Sequence, residues 1–154
     1  MSHLRTQIRK QIVSELAVLA PLTVESVEST RMYAFREDQL PAINVYVASE
    51  DSEITTLGGK LNSSMAQRLM LRTLTFPVTV YLSATADVDD AMDGIAVEVE
   101  KILGNSLLNN LVQATELTST VPTIDAEGEV PVGVLTMNWT VLYQTVEGEP
   151  ELTA

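Results

Sequence analysis

The chain has 154 residues, 45% of them apolar, enough for one domain with a core of its own. It carries 21 acidic and 9 basic residues, for a net charge of -12, which disfavours any function that depends on gripping nucleic-acid phosphates. It has no cysteine, which excludes thiolate catalysis and disulfides, and its single histidine, His3, leaves a Ser–His triad or a multi-histidine metal site almost nothing to work with.

Leu4, Ile8, Ile12, Leu16 and Leu19 recur every three or four residues, which predicts an amphipathic helix capped by Ser2 and ended by Pro21. A polar connection with room for a short strand follows over 23–29. Strands are predicted over 30–35 and, after the charged turn Arg36-Glu37-Asp38-Gln39, over 42–48. Residues 50–67 show no period of either kind, so 51–67 reads as a long loop or hairpin arm. A strand follows over 68–83, with Leu74, Phe76, Val78, Val80 and Leu82 on one face. Pro77 within it suggests an edge or a bulge.

Asp87 predicts the cap of a second helix, with Asp89, Asp90 and Asp93 in its first turns and Gly104 as a left-handed stop. A short helix is expected over 107–112, a strand over 116–124 and a turn at Asp125-Ala126-Glu127-Gly128. The last strand carries Leu135, Met137, Trp139, Val141 and Tyr143 on one face. Residues 147–154 read as a disordered acidic tail. The sum is an α+β domain over 1–146, a mostly antiparallel sheet with two main helices on one face.

No signal peptide or membrane-spanning run is recognised, which predicts a protein that works where it is made. The charge is uneven. Residues 1–72 hold eight cations and eight anions, whereas 73–154 hold thirteen anions against Lys101. Asp89-Asp90-Ala91-Met92-Asp93 spells DDxxD, but the all-helical cavity that this motif serves in terpenoid synthases is out of reach of a short mixed chain. A solvated first helix turn accounts for it. Asp89 and Asp93 remain weak candidates for a divalent ion at a subunit contact. Gly58-Gly59-Lys60-Leu61 lacks the spacing of a phosphate-binding loop. No active site assembles from these parts.

The order of elements resembles the phage minor tail protein U family, the tail terminators of long-tailed siphophages. The resemblance covers about residues 4–146. It runs through Leu4-Arg5, Arg31 ahead of Tyr33-Ala34-Phe35, Leu40-Pro41-Ala42-Ile43-Asn44-Val45-Tyr46, then Glu50, a polar arm, Met92-Asp93 on a helix, and a last strand ending in Leu142-Tyr143. The arm and the segment before the last strand are longer than in lambda-like members. The resemblance implies a non-enzymatic virion protein, assembled in the host cytoplasm as a six-membered ring at the head-proximal end of the tail. Such a ring stops polymerisation of the tail tube protein, offers a surface to a head-completion or neck protein, and lets DNA pass without specific binding.

Arg31, Arg36, Glu50, Lys60, Arg68 and Asp93 are the expected subunit or partner contacts, and Asp87, Asp90, Asp125, Glu127 and Glu129 the expected channel-facing acids. No cofactor is expected, apart from magnesium as a promoter of assembly. The rival readings are a neck connector or tube subunit of related fold, a small Asp-dependent magnesium hydrolase, and a monomeric binding module.

Overall fold

The computed structural model describes residues 2–20, 22–31, 33–56, 68–84, 87–126 and 131–154. Helix α1 (Leu4–Leu16) and helix α2 (Val88–Leu103) pack on one face of a six-stranded sheet. The strands are β1 (Ser26–Ser29), β2 (Ala42–Val45), β3 (Ser49–Thr56), β4 (Leu69–Ser83), β5 (Ala114–Asp125) and β6 (Val132–Val146). Their order across the sheet is β1-β2-β4-β6-β5, with β3 also paired to β4. Every pairing is antiparallel except β1 with β2. This is the α+β architecture that the sequence predicts.

The core follows the two periods read from the sequence. Leu4, Ile8, Ile12, Leu16 and Leu19 are buried along α1 and the short 3-10 turn that continues it. They meet the alternating buried residues of β4 and β6, among them Phe76, Val78, Trp139 and Tyr143. Among the described residues no helix covers the opposite face of the sheet, and along β6 its residues are only half-buried.

Several expectations change. His3, not Ser2, caps α1, its Nδ1 accepting from the Arg5 N–H at 3.1 Å. The described residues of 30–35 form no strand, because Thr30 takes a positive φ of 53° and turns the chain away from β1. The strand predicted over 42–48 stops at Val45; of the two readings of the next segment, loop or hairpin arm, its described part takes the second, forming β3 antiparallel to β4, with residues 57–67 outside the described part. Strand β4 is central rather than an edge. The Pro77 carbonyl accepts from the Tyr46 N–H, so its missing donor faces the place where the neighbouring chain passes from β2 to β3. A ladder donor is dispensable there.

Gly104 is not left-handed (φ -60°); the positive φ falls on Asn105. Glycine at 104 answers to space, since a Cβ would stand 2.6 Å from the Glu100 carbonyl oxygen. No helix forms over 107–112: Leu108, Asn109 and Asn110 all have positive φ, which builds a turn that buries Leu108. The C-terminal segment, expected as a disordered tail, folds back instead. The Leu4 N–H donates to the Pro150 carbonyl, Gln7 to the Glu151 carbonyl and the Ala154 N–H to the Gln144 carbonyl.

Candidate assembly surfaces

Two of the charged residues singled out in the sequence are consumed inside the subunit. Glu50 lies on the helix side of β3, opposite Leu74, where the start of α1 covers it. Its carboxylate receives Arg5 at 2.9 Å, Arg72 at 3.2 Å and the Tyr143 hydroxyl. Arg72 also donates to Thr145 Oγ1 at 3.0 Å. Burial, and then the bond to Glu50, hold the Tyr143 phenol protonated well above its ordinary range. A carboxylate so enclosed ties α1, β3, β4 and β6 together and is not available to a neighbour.

Arg31 organises the loop between β1 and β2. Its guanidinium donates to both Glu28 oxygens, the Tyr33 and Ala34 carbonyls and Gln39 Oε1. The same group stands 4.1 Å from the centre of the Phe35 ring. Phe35 in turn meets Tyr81 on the uncovered face of the sheet, their centroids 5.2 Å apart. Buried Asn44 fixes the loop from below, exchanging hydrogen bonds with the Arg31 backbone N–H and carbonyl. The resemblance-bearing residues Arg31, Phe35 and Asn44 are therefore joined by contacts within one chain, and Glu50 belongs to a separate network with Arg5, Arg72 and Tyr143.

The other candidates sit at the surface. Arg36 is exposed and paired with exposed Asp38 at 3.3 Å. Arg68 makes a two-pronged bond to Glu147 across the sheet's far end, which holds the C-terminal segment. Lys60, Glu127 and Glu129 lie outside the described residues. Asp87, Asp90 and Asp125 are exposed at one end of the sheet, where β4 leads to α2 and β5 ends opposite Val132. Asp87 stands at the start of α2 without a side-chain capping bond. Asp125 also borders a recess of the uncovered face with Phe35, Tyr81 and Val134.

Asp89 and Asp93, one helical turn apart, form the rim of a groove between α2 and β5. Its floor and far wall are Met92, Leu135, Thr120 and Pro122, continued by Ile124. Two carboxylates of one helix face can share a divalent ion only with further ligands, and no group of three potential ligands occurs among the described residues. The groove was not foreseen. Its signal is the run from Leu117 to Ile124, which contains no charge and yet does not alternate.

No helix among the described residues is long and apolar enough to cross a membrane. The fold and its surfaces define an α+β domain whose outermost strands, β1 and β5, each have one partner strand among the described residues. No protein-family model matches the chain, and no curated protein matches it. Among solved structures, a protein without a descriptive name overlaps 92% of this chain and 96% of its own, at 17% identity and a TM-score of 0.49. A chain from the virion of a native gene transfer agent particle overlaps 91% of this chain and 92% of its own, at 15% identity and a TM-score of 0.42.

Proposed function

We propose that the protein is a non-enzymatic structural component of a phage virion, a ring-forming terminator at the head-proximal end of a tail tube. In this reading six copies close into a ring that ends polymerisation of the tube protein. The ring then presents its outer surface to a head-completion or neck protein. The observation that carries it is the ordered set of residues resembling the minor tail protein U family, from Leu4-Arg5 through Arg31, Pro41-Ala42-Ile43-Asn44-Val45-Tyr46 and Glu50 to Leu142-Tyr143. Four of these residues (Arg31, Asn44, Glu50 and Tyr143) bond within the subunit, which supports reading them as the scaffold of one fold.

The charge distribution adds a physical role. Asp87, Asp90 and Asp125 share one end of the sheet. Turned toward the lumen, these carboxylates repel phosphate and let DNA pass without sticking. Magnesium assists assembly by screening the acidic surface against self-repulsion.

Sedimentation velocity and negative-stain microscopy of the purified chain test the proposal. Closed rings are expected, in greater yield with magnesium, and added rings should halt elongation of tube subunits. Open-ended tubes formed by this chain alone would instead make it a tube subunit. Hydrolysis of a phosphate-ester panel that disappears in an Asp89→Asn, Asp93→Asn double variant would replace the structural reading with an enzymatic one.

A further inference from the structure

We infer that residues 149–154 are an exchangeable strap, which in the assembled ring leaves its own subunit and fills the same slot, beside the end of β6 and the start of α1, on the next copy. The inference rests on the ring reading and adds to it the element that joins one copy to the next.

The slot arises from unequal strand lengths. Strand β5 starts at Ala114, opposite Leu142, whereas β6 continues to Val146. In an antiparallel ladder alternate residues turn their peptide groups to the same side, so Leu142, Gln144 and Val146 all face the line of β5. The Leu142 carbonyl is met there by the Gln113 N–H. The other two lie beyond the start of β5, and the strap meets them instead. Its Ala154 N–H donates to the Gln144 carbonyl and its Glu149 N–H to the Val146 carbonyl, both at 2.9 Å. The Pro150 carbonyl accepts the Leu4 N–H, one of the donors that the first turn of α1 cannot satisfy by itself. The Glu151 carbonyl accepts from Gln7 at 3.1 Å.

The strap is held lightly. Pro150 and Glu151 are half-buried and the rest of it is exposed, Leu152 included. The bonds that dock it use main-chain atoms of the strap, so they draw little on its side chains. A segment with few buried contacts and exposed hydrogen bonds opens at far lower cost than a core strand. Its return path depends on one residue. Gly148, between the end of β6 and the strap, takes a φ of +89°, and a Cβ there would meet nothing within 4 Å. The position therefore calls for glycine through its backbone conformation and not for space.

The occupant is the one segment seen to fit the slot, and every further copy carries it. Exchange of an identical element between copies keeps the docking bonds and changes only the subunit that supplies them. What differs is the hinge. Extended through Glu147 and Gly148, it no longer needs a positive φ at 148. Two extended residues reach about 7 Å, enough for the strap to step to a subunit packed alongside. Glu147 stays behind, held by the two-pronged bond from Arg68. Each copy has one strap to give and one slot to fill, so donation runs from copy to copy until the ring closes.

The native chain has no cysteine, so the strap can be tied by cross-linking full-length variants. In the Gln144→Cys, Ala154→Cys double variant, a short bismaleimide added to dilute monomer should staple the strap to its own subunit and abolish ring formation in sedimentation velocity. The same reagent added to assembled protein should give a covalent ladder ending at the ring. An equimolar mixture of the two single variants should give dimers, about ten-fold more than either variant alone, as passage of the strap between copies requires. Stapled monomers that still close into rings would overturn the inference and leave the ring standing. Coupling confined to single chains within assembled rings would overturn it as well, because the strap has then stayed in place. A ladder that stops at two would do the same, because exchange is then reciprocal. Wild-type protein that stays monomeric at every concentration would remove the ring reading and this inference with it. A second arm uses the hinge. Gly148→Val penalises the turned-back form alone, so it should move the assembly midpoint to about ten-fold lower concentration. A midpoint that stays or rises would show that the strap does not change subunits.

Discussion

Glu50 and the pair Asp89–Asp93 are the same chemical group in opposite circumstances. The Glu50 side chain is 6% exposed and held by two guanidinium groups and a phenol, so it belongs to the interior of the fold. Asp89 and Asp93 stand in solvent on a helix with an excess of like charge. The difference separates a carboxylate that holds the fold together from two that leave it unconstrained. One network spends its charges holding α1, β3, β4 and β6 together, while Asp89 and Asp93 stand at the surface on the rim of a groove.

The largest effect should come from breaking the first region. Glu50→Ala leaves Arg72, which is 12% exposed, without its carboxylate. Removing one partner of a buried pair costs about 3 kcal/mol, to be read as a lowered midpoint in urea denaturation. Asp89→Asn should change monomer stability by no more than about 0.5 kcal/mol, the usual range for a surface substitution. Equal losses in the two variants would erase the distinction between the regions.

Gly133→Ala tests the seating that opens the groove. The new methyl must displace Met92 and Val88, and overpacking of this kind costs about 1–2 kcal/mol. Thermal unfolding should report the loss. Stability unchanged by the added methyl would mean that α2 is free to shift, and the groove's shape would not be set by Gly133.

Tyr143 gives the first region a signature at high pH. Burial and the bond to Glu50 raise its pKa above the ordinary value of 10. In the unfolded chain the phenol ionises near pH 10, whereas in the fold it stays protonated, so its contribution is present below pH 10 and is lost as pH rises beyond it. Denaturant midpoints measured above pH 10 should fall more steeply in the wild type than in Tyr143→Phe. Parallel slopes would place the phenol outside the network.

The sequence made the core legible because its periods are strict. The alternation from Leu74 to Leu82 and from Leu135 to Tyr143, and the stripe from Leu4 to Leu19, each map onto buried residues. What it concealed was decided by pairing across the chain. Strand β3 shows no strand period, and so reads as a loop or hairpin arm, because one face of Ser49–Thr56 looks outward and the other holds Glu50 and Ser52 opposite Leu74 and Arg72. Without Arg5, Arg72 and Tyr143 in view, Glu50 passes for a surface acid. Arg31 deceives in the same way, since its partners are largely backbone carbonyls of its own loop, which carry no residue-type signal. The run of positive φ at Leu108, Asn109 and Asn110 was marked only by its asparagines, residues that tolerate that conformation better than most. The groove came from Gly133, whose consequence appears only when the helix that lies on it is placed.

The smallest expected effect concerns His3, at the edge of the Glu50 network. Its Nδ1 caps α1, and burial first, then Arg5 and Arg72, lower its pKa from 6.5. The neutral imidazole accepts the Arg5 N–H; the protonated ring cannot, and it adds a third cation beside two guanidinium groups. Because the folded pKa is depressed, the stabilisation is present above the unfolded value of 6.5 and is lost as pH falls through the lower folded value. His3→Asn keeps a capping acceptor and does not titrate in this range. Between about pH 7 and about pH 5, wild-type stability should therefore decline more than that of the variant. Equal declines would show that the start of α1 is held by the Leu4 bond to Pro150 and the Arg5 pair with Glu50, without help from the imidazole.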